Sequence, residues 1–288
     1  MKLGLNLPMF TADARRPLAE AARAAAAGYD GVFAPDHLFP PGRSSGATLD
    51  PFGILSAVAI GEPRLHVGTL VSRASIRPVG LLAKLGAAID QLSGGRAILG
   101  VGAGDSVSRS EHEAFGFPFA SATERVAILD ETVAALRRLF AGEAWPGGSH
   151  VPALAGPLVP PGRPDIWIGG RSDAVLSTAA RRADAWNGWG LDAEGFADAA
   201  ATLRRLADGR EVRPTWGGFV LVGRSGDDID RRLAARKARG LPTDIWHGTT
   251  GQLRSFADSV EDAGAAWLIA HAVGGDDGIE LIADAVRR

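Results

Sequence analysis

A strand, a helix and a second strand follow one another within residues 67–106, and this unit constrains the fold more than any other part of the chain. Residues 65–71 are almost all apolar, which is typical of a strand buried on both faces. Residues 78–92 then carry apolar side chains at a helical period, beginning with Pro78 in the first turn. Residues 97–101 form a second apolar run. A strand-helix-strand unit predicts parallel strands joined by a right-handed crossover.

The same alternation continues along the whole chain. The pattern predicts eight strands, at residues 3–8, 31–34, 65–71, 97–101, 165–168, 184–189, 215–222 and 266–272. Helical patterns separate them, and no linker or change of composition interrupts the series. Eight strands in one chain of this length favour a single (β/α)₈ barrel, a TIM barrel, spanning residues 1–288. The alternative is a doubly wound open sheet.

Composition excludes several classes of function. The net charge of -2, from 31 basic and 33 acidic residues, predicts no binding of nucleic acid or of an anionic membrane. The chain has no cysteine, so disulfides, thiolate metal sites and a cysteine nucleophile are excluded. The first residues lack the pattern of a signal peptide, and no apolar run reaches the length of a membrane span. We therefore expect a soluble cytoplasmic protein.

Two small-residue turns follow predicted strands. Since the carboxyl ends of barrel strands share one rim, we expect both turns there. Backbone N–H groups, glycine and an arginine suit a phosphate, although tight turns alone would also explain the sequence. The candidate phosphate-binding residues are Gly102, Ala103, Gly104, Asp105 and Ser106 in the first turn, and Gly169, Gly170, Arg171 and Ser172 in the second.

Asp36 and His37 follow the second strand and are the candidate catalytic pair. An imidazole with an ordinary pKa of about 6.5 can take or give a proton near neutral pH. Asp36 could hold the imidazole tautomer or bind a cofactor instead. The alternative is a helix-capping aspartate beside a surface histidine, and His271 is then the next candidate for proton transfer. Trp189 and Trp246 are candidate pocket walls, because one lies past a strand end and the other in a predicted loop.

Other chemistries fit poorly. The six histidines are scattered and form no H-E-x-x-H motif, so no metal site is predicted. No G-x-S-x-G motif occurs, which argues against a serine hydrolase. The spacing of Gly100, Gly102 and Gly104 does not match the G-x-G-x-x-G dinucleotide motif.

Four stretches of the chain resemble a known family. They are residues 28–38 (G-Y-D-G-V-F-A-P-D-H-L), residues 67–92, residues 93–106 and residues 164–189. The most specific run is L-S-G-G-R-A-I-L-G-V-G-A-G, at residues 92–104. The chain resembles the bacterial luciferase-like monooxygenases, which are flavin- or deazaflavin-dependent oxidoreductases on a TIM barrel. The resemblance covers essentially the whole chain.

The resemblance implies a cofactor that lies across the mouth of the barrel. It places Asp36 and His37 near the ring of coenzyme F420. It implies a bulge behind the ring in the strand from Thr69 to Ser72, often with a cis peptide bond, so that Leu70, Val71 and Ser72 bind the cofactor. It assigns the two small-residue turns to the phosphate end. An Asp-His pair at this position is commoner in the F420 branch than in the FMN branches. F420 hydride transfer to or from a small organic molecule is therefore the expected activity.

Two alternatives to hydride transfer with F420 remain. FMN with monooxygenation is the enzyme alternative, since F420 activates oxygen poorly, and a non-catalytic flavin- or deazaflavin-binding protein is the alternative of another class. The chain has Phe39-Pro40-Pro41 where the F420 dehydrogenases carry a tryptophan, and residues 223–250 are short for a family that often inserts a lid there. The resemblance also implies a homodimer, formed through the second and third helices, which are rich in Ala, Leu and Gly.

Overall fold

Nine parallel strands and ten helices make up the part of the chain that a computed structural model describes, residues 1–43 and 45–287. The strands are β1 (Lys2–Asn6), β2 (Gly31–Ala34), β3 (His66–Arg73), β4 (Ala97–Gly102), β5 (Asp165–Gly169), β6 (Ala185–Trp189), β7 (Arg213–Gly223), β8 (Trp246–Thr249) and β9 (Trp267–Ala272). The helices are α1 (Arg15–Ala26), α2 (Pro51–Gly61), α3 (Val79–Ser93), α4 (Arg109–Ala114), α5 (Ala122–Phe140), α6 (Asp173–Arg182), α7 (Ala193–Ala207), α8 (Gly226–Ala238), α9 (Thr250–Asp262) and α10 (Gly278–Val286).

Eight of the strands close into a barrel. β1 to β7 pair in chain order, β7 pairs with β9, and β9 pairs with β1, all in parallel. An open sheet would leave two unpaired edges, whereas here the pairing returns to its starting strand. The predicted (β/α)₈ barrel is confirmed, and the doubly wound alternative is wrong.

The ninth strand, β8, was not predicted. Its four residues pair with residues 220–223 at the end of β7, beyond the part of β7 that pairs with β6. The sequence W-H-G-T is too short to show a period, so the prediction of a loop at Trp246 was wrong. The Trp246 ring lies 5.7 Å from the ring of Phe256, so it packs against α9.

Local sequence explains the helices between the strands. In α5, the Ser121 side chain accepts a hydrogen bond from the Glu124 N–H, and basic residues occupy the last turn, as the helix dipole favours. Its buried face repeats at intervals of three and four residues, and its members are Leu129, Val133, Leu136 and Phe140. This face packs α5 against its neighbours. Helices packed in this way surround the barrel, and the carboxyl ends of its strands form one ring.

Aromatic rings fill the interior of the barrel. Phe33 lies 5.3 Å from Trp167 and 5.4 Å from Trp267, between ring centroids. Their strands, β2, β5 and β9, are not neighbours, so the rings meet across the barrel. A Cβ at Gly4 would lie only 2.7 Å from the Phe33 ring, so glycine at this position makes room for the cluster. The prediction that most tryptophans are core residues is confirmed for Trp167, Trp186, Trp216 and Trp267, each at most 3% exposed.

No helix in the described ranges is both long enough and apolar enough to cross a bilayer.

Candidate functional site

The carboxyl ends of the barrel strands bring the predicted site residues to one end of the molecule. Asp36 and His37 follow β2, and the two small-residue turns follow β4 and β5. Gly102 and Gly169 are paired residues of adjacent strands, so the two turns lie side by side, as expected. His271 stands near the end of β9. These placements assemble one candidate site, but the contacts within it differ from those inferred from sequence.

Asp36 is held by an arginine and does not contact His37. The Asp36 carboxylate is buried, and both of its oxygens accept from Arg77, at 2.7 Å each. The Ser72 hydroxyl donates to the same carboxylate at 2.7 Å, and the Arg77 guanidinium also bonds Asp50 at 2.7 Å. This bidentate pair ties the end of β2 to the segment that follows β3. The proposed role of Asp36 in holding the imidazole tautomer is therefore wrong.

Glu111 of α4 holds the imidazole instead. Its Oε1 lies 2.9 Å from His37 Nδ1. Its Oε2 accepts from the backbone N–H groups of Leu38 and Phe39 and from Arg73 Nη2, at 2.8 Å from the last. The Glu111 side chain is 1% exposed, so all of these contacts are shielded from water.

The charge of Glu111 is secured by its hydrogen bonds. Burial alone would raise the pKa of this carboxyl, but hydrogen bonds from His37 and the Leu38 N–H, together with the charges of His37 and Arg73, lower it to about 2. Glu111 is thus a carboxylate throughout the neutral range. A carboxylate at Nδ1 requires the proton on that nitrogen, which leaves Nε2 to exchange a proton.

His37 reaches the barrel mouth with one nitrogen uncommitted. Its side chain is 22% exposed, and no residue in ranges 1–43 and 45–287 contacts Nε2 by a hydrogen bond. The ring of Phe10 approaches the imidazole edge at 5.8 Å between centroids. A histidine oriented by a buried carboxylate, with its second nitrogen open, can act as a general acid or base.

The predicted bulge in β3 is present. The register against β4 shifts between Thr69 and Ser72, and the peptide bond between Leu70 and Val71 is cis. Leu70 belongs to the interior cluster and the Ser72 hydroxyl is committed to Asp36, whereas the Val71 side chain is partly exposed. Val71 is therefore the bulge residue available to a ligand at the mouth.

Glycines of β4 and β5 accommodate the bulge. A Cβ at Gly102 would lie 2.5 Å from Val71 Cγ2, and a Cβ at Gly169 would lie 2.8 Å from Val71 Cγ1. The sequence interpretation explained these glycines by close approach of a phosphate. In the structure, the side chain that approaches them is Val71, so they are required by packing whether or not a phosphate binds.

The rest of the first turn becomes exposed toward its end, where one side chain caps the short helix that follows. Ala103 is buried and Gly104 has a φ of +74°, a conformation that glycine adopts readily. Asp105 and Ser106 are exposed, and the Asp105 carboxylate accepts from the Ser108 N–H at 3.1 Å. That cap matches the alternative of a simple tight turn, and the Asp105 charge opposes a phosphate close to it.

The second turn keeps one free cation. The Gly170 N–H donates to the Asn187 carbonyl at 3.2 Å, and the Gly170 carbonyl accepts from Trp186 Nε1 at 2.7 Å. The Ser172 hydroxyl caps α6 by accepting from the Val175 N–H. Arg171 is exposed and has no acidic partner among the described residues. Arg171 is therefore the group of this turn best able to meet an anion.

His271 is a second imidazole at the mouth. Its Nδ1 lies 3.3 Å from Asn6 Nδ2, and its ring lies 4.9 Å from that of Phe219. Burial, and to a lesser extent the charges of Arg236 and Arg16, lower the pKa of His271 to about 4. The ring is neutral at pH 7 and lies beside Phe219, which also contacts Trp189 at 5.7 Å. Trp189 thus borders the mouth as predicted from its place at a strand end.

The residues fit an organic cofactor better than a metal. Two buried polar atoms at this end, Asn6 Oδ1 and Arg73 Nη1, have no hydrogen-bond partner, and buried polar groups seldom lack one unless a ligand or water supplies it. Among residues 1–43 and 45–287 there is no cluster of three or more His, Asp or Glu side chains suited to a metal ion. An apolar platform at Val71, a partly exposed histidine and a free arginine suit a planar ring with an anionic tail.

Sequence reasoning missed Glu111, Arg73 and Arg77. Arg73 ends β3, Arg77 follows it, and Glu111 lies in α4 after β4, so charged residues at or soon after the end of a predicted strand were the available signal. Their partners are 27 to 74 residues away in the chain, and no spacing rule reveals such contacts.

Comparison with known proteins gives a consistent family. A model of the family described as luciferase-like monooxygenase matches residues 1–280. The phthiodiolone/phenolphthiodiolone dimycocerosates ketoreductase of Mycobacterium tuberculosis is 29% identical over 238 residues, covering 75% of this chain and 60% of that protein. The F420-dependent glucose-6-phosphate dehydrogenase of Beutenbergia cavernae is 33% identical over 144 residues, covering 50% of this chain and 42% of that one. The chain thus matches less than two thirds of the length of these relatives.

A solved structure shows the same fold. The F420-dependent secondary alcohol dehydrogenase in complex with an F420-acetone adduct superposes with a TM-score of 0.85 at 14% identity, covering 100% of this chain and 99% of that one.

Proposed function

The chain belongs to the luciferase-like monooxygenase family, and on this premise we propose that it is an oxidoreductase that moves a hydride between coenzyme F420 and a small organic alcohol or carbonyl compound. The observation that carries the proposal is His37, oriented by the buried Glu111 carboxylate, with Nε2 free at the barrel mouth. The names of related proteins support F420 as the cofactor, since one relative and one structural neighbour are F420-dependent dehydrogenases.

The cofactor site follows from the residues at the mouth. Val71 of the bulge would pack against the cofactor ring, and Arg171 with the turns after β4 and β5 would hold its phosphate end. When bound, F420 supplies a two-electron acceptor or donor of hydride. Asn6 Oδ1 and Arg73 Nη1 remain available for polar contacts to the ligand.

The protein contributes proton transfer and orientation. In the oxidising direction, His37 Nε2 accepts the hydroxyl proton of the alcohol as the hydride leaves its carbon. In the reducing direction, Nε2 returns that proton to the carbonyl oxygen. The Glu111 carboxylate stabilises the imidazolium that forms, because it is buried beside Nδ1 and stays ionised. Asp36 has an indirect role, because its ion pair with Arg77 fixes the position of the segment that carries His37.

FMN is the alternative cofactor, favoured by the monooxygenases that give the family its name. Titration of the purified protein with F420 and with FMN, followed by cofactor fluorescence, separates the two. We expect saturable binding of F420 and affinity for FMN at least about tenfold weaker. Tighter binding of FMN would contradict the proposal of hydride transfer with F420 and would favour FMN-dependent monooxygenation.

Steady-state turnover separates an enzyme from a binding protein. With F420 bound, a panel of secondary alcohols should reduce it, and the fluorescence of the oxidised cofactor should fall. Tight binding of F420 with no turnover on alcohols, and none with reduced F420 on ketones, would favour the non-catalytic binding protein.

A further inference from the structure

A cavity of about 750 Å³ opens at the amino end of the barrel, opposite His37. It lies between the first residues of β1, β4, β5, β7 and β9 and the end of α5, and we call it the amino-end groove. Its volume is within the range of small-molecule sites. The amino end of such barrels usually serves stability, so a ligand there needs evidence in the side chains.

The groove contains more cations than its acids neutralise. Arg213 chelates Asp165, with contacts of 2.6 and 2.7 Å, and Arg137 bonds Asp184 at 2.7 Å. These two pairs use both acids of the lining. Lys2 and the Arg163 guanidinium also line the groove, and neither has an acidic partner among the described residues. Two unpaired cations therefore face one cavity.

Asp90 does not cancel this surplus. It accepts a hydrogen bond from the Arg163 backbone N–H at 2.8 Å, but it is 8% exposed and is not part of the lining.

Lys2 is held in place by neutral groups. Its Nζ lies 3.0 Å from His66 Nε2 and 5.2 Å from the centre of the Trp267 ring. Because an ammonium group only donates, His66 must accept through Nε2 and is neutral. Burial and the charge of Lys2 lower the pKa of His66, in agreement with that state. The remaining N–H groups of the Lys2 ammonium stay available to an anion.

The positive surface continues past Arg137. A second cavity, of about 500 Å³, shares Arg137 and adds further arginines. Arg181 and Arg182 share the single carboxylate of Asp130, at 3.0 Å each. Within the described part of the chain, the Arg210 side chain bonds backbone carbonyls alone, those of Ala180 and Ala183. The chain as a whole is slightly acidic, so this concentration of cations is local and attracts anions to the amino end.

We propose that the amino-end groove binds a small polyanion, whose phosphate or carboxylate groups meet Lys2 and Arg163. The site lies outside the barrel mouth and shares no residue with it. Its ligand chemistry is set by two cations that have no acidic partner among the described residues. Phosphorylated and polycarboxylated molecules both present this chemistry.

Calorimetric titration with pyrophosphate and with citrate, at an ionic strength balanced with NaCl, tests the proposal. We expect saturable binding of at least one probe, and the tighter of the two identifies the class of anion. The Lys2→Gln/Arg163→Gln double variant should raise Kd by about tenfold or more. Lys237→Gln is the matched control, since it removes an exposed cation of α8 that lines neither of the two cavities, and it should leave Kd within about twofold.

A local readout places the anion. The indole N–H resonance of Trp267, assigned with a Trp267→Phe variant, should shift during the titration. The single variants Lys2→Gln and Arg163→Gln, checked by thermal melting, replace the double variant if it unfolds. The proposal fails if neither probe saturates at about 10 mM, if the Lys2 and Arg163 variants bind as the parent does, or if Arg171→Gln abolishes binding, which would place the anion at the rim.

Discussion

The contact between His37 and Glu111 sets the chemistry of the candidate site at the scale of single residues. Glu111 receives four hydrogen bonds and has a pKa of about 2, so its charge does not vary in the range where an imidazole titrates. The imidazole keeps its Nδ1 contact while Nε2 is free to exchange a proton. Neither residue alone indicates this role.

Replacing His37 tests proton transfer. We expect His37→Ala to lower kcat by about 10²-fold or more while F420 affinity changes only a few-fold, because the lost group acts on the substrate proton. Steady-state kinetics with an identified substrate and fluorescence titration give the two quantities. An unchanged kcat would assign proton transfer elsewhere, and His271 would then be the next residue to replace.

Replacing Glu111 tests the buried carboxylate through stability. Its pKa in the folded protein, about 2, lies below the ordinary 4.5, so it stabilises the fold above pH 4.5 and loses that effect as pH falls toward 2. We expect Glu111→Gln to lower the free energy of unfolding at pH 7 by at most about 3 kcal/mol. The difference from the parent should shrink below pH 4.5 in urea denaturation at several pH values.

Glu113 provides the control for Glu111 on the same helix. Its side chain is 65% exposed and lies 4.0 Å from Arg109. Glu113→Gln should leave stability nearly unchanged across the same pH series. Equal losses of unfolding free energy in the two variants would show that the buried hydrogen bonds of Glu111 do not stabilise the fold.

Arg171 is the residue to replace in the phosphate turns. Gly170→Asp adds a charge beside a phosphate, but a Cβ there would lie 2.9 Å from Val175 at a φ of +143°, so that variant also strains the fold. Arg171→Gln removes an exposed cation without such a clash. We expect its F420 affinity to fall by about tenfold with an unchanged melting temperature. Unchanged affinity would remove Arg171 from the cofactor site.

At the scale of elements, the β3 bulge depends on the strands beside it. Val71 projects between β4 and β5 only because glycines stand at the contact. We expect Gly102→Ala to lower the free energy of unfolding by about 1–3 kcal/mol, since its Cβ would lie 2.5 Å from Val71 Cγ2. Urea denaturation measures this effect.

Gly226 is the matched glycine for this test. It opens α8, and a Cβ there would meet nothing within 4 Å. Gly226→Ala should therefore leave stability unchanged or slightly higher. If both alanine variants are equally stable, the bulge can move away from Gly102 and the packing argument is wrong.

At the scale of the whole molecule, we propose a homodimer formed through α2 and α3. Ile60 is 67% exposed, Leu81 53% and Leu92 44%, so these two adjacent helices present large apolar side chains to the outside. In a two-fold symmetric dimer, the same face of a second copy would cover these apolar side chains.

Light scattering of a charged variant tests the dimer. The parent should have the mass of two chains, and Leu81→Glu should shift it toward one, because dimerisation would bury an unpaired carboxylate. Val107→Glu is the control, since Val107 is 49% exposed but lies on neither helix. A monomeric parent at micromolar concentration contradicts the proposal.

Most elements were predictable, whereas most contacts at the site were not. The long periodic segment predicted as a helix at residues 78–92 matches α3 to within one residue at each end, because it buries a regular face. The four-residue β8 has no period to recognise. His37 was identified from its place after a strand, but the partner assigned to it, Asp36, bonds Arg77 instead.

The sequence by itself determined the alternation of strands and helices and the end at which Asp36, His37 and both turns meet, and it favoured a closed barrel over an open sheet. These follow from local periodicity and from the parallel direction that each crossover imposes. Only the tertiary structure decided that Glu111 orients His37 across 74 residues, that Val71 occupies the space left by Gly102 and Gly169, and that unpaired cations gather at the amino end. The reason is that hydrogen bonds, ion pairs and packing act over a few ångströms in space, and the fold alone brings residues distant in the chain within that range.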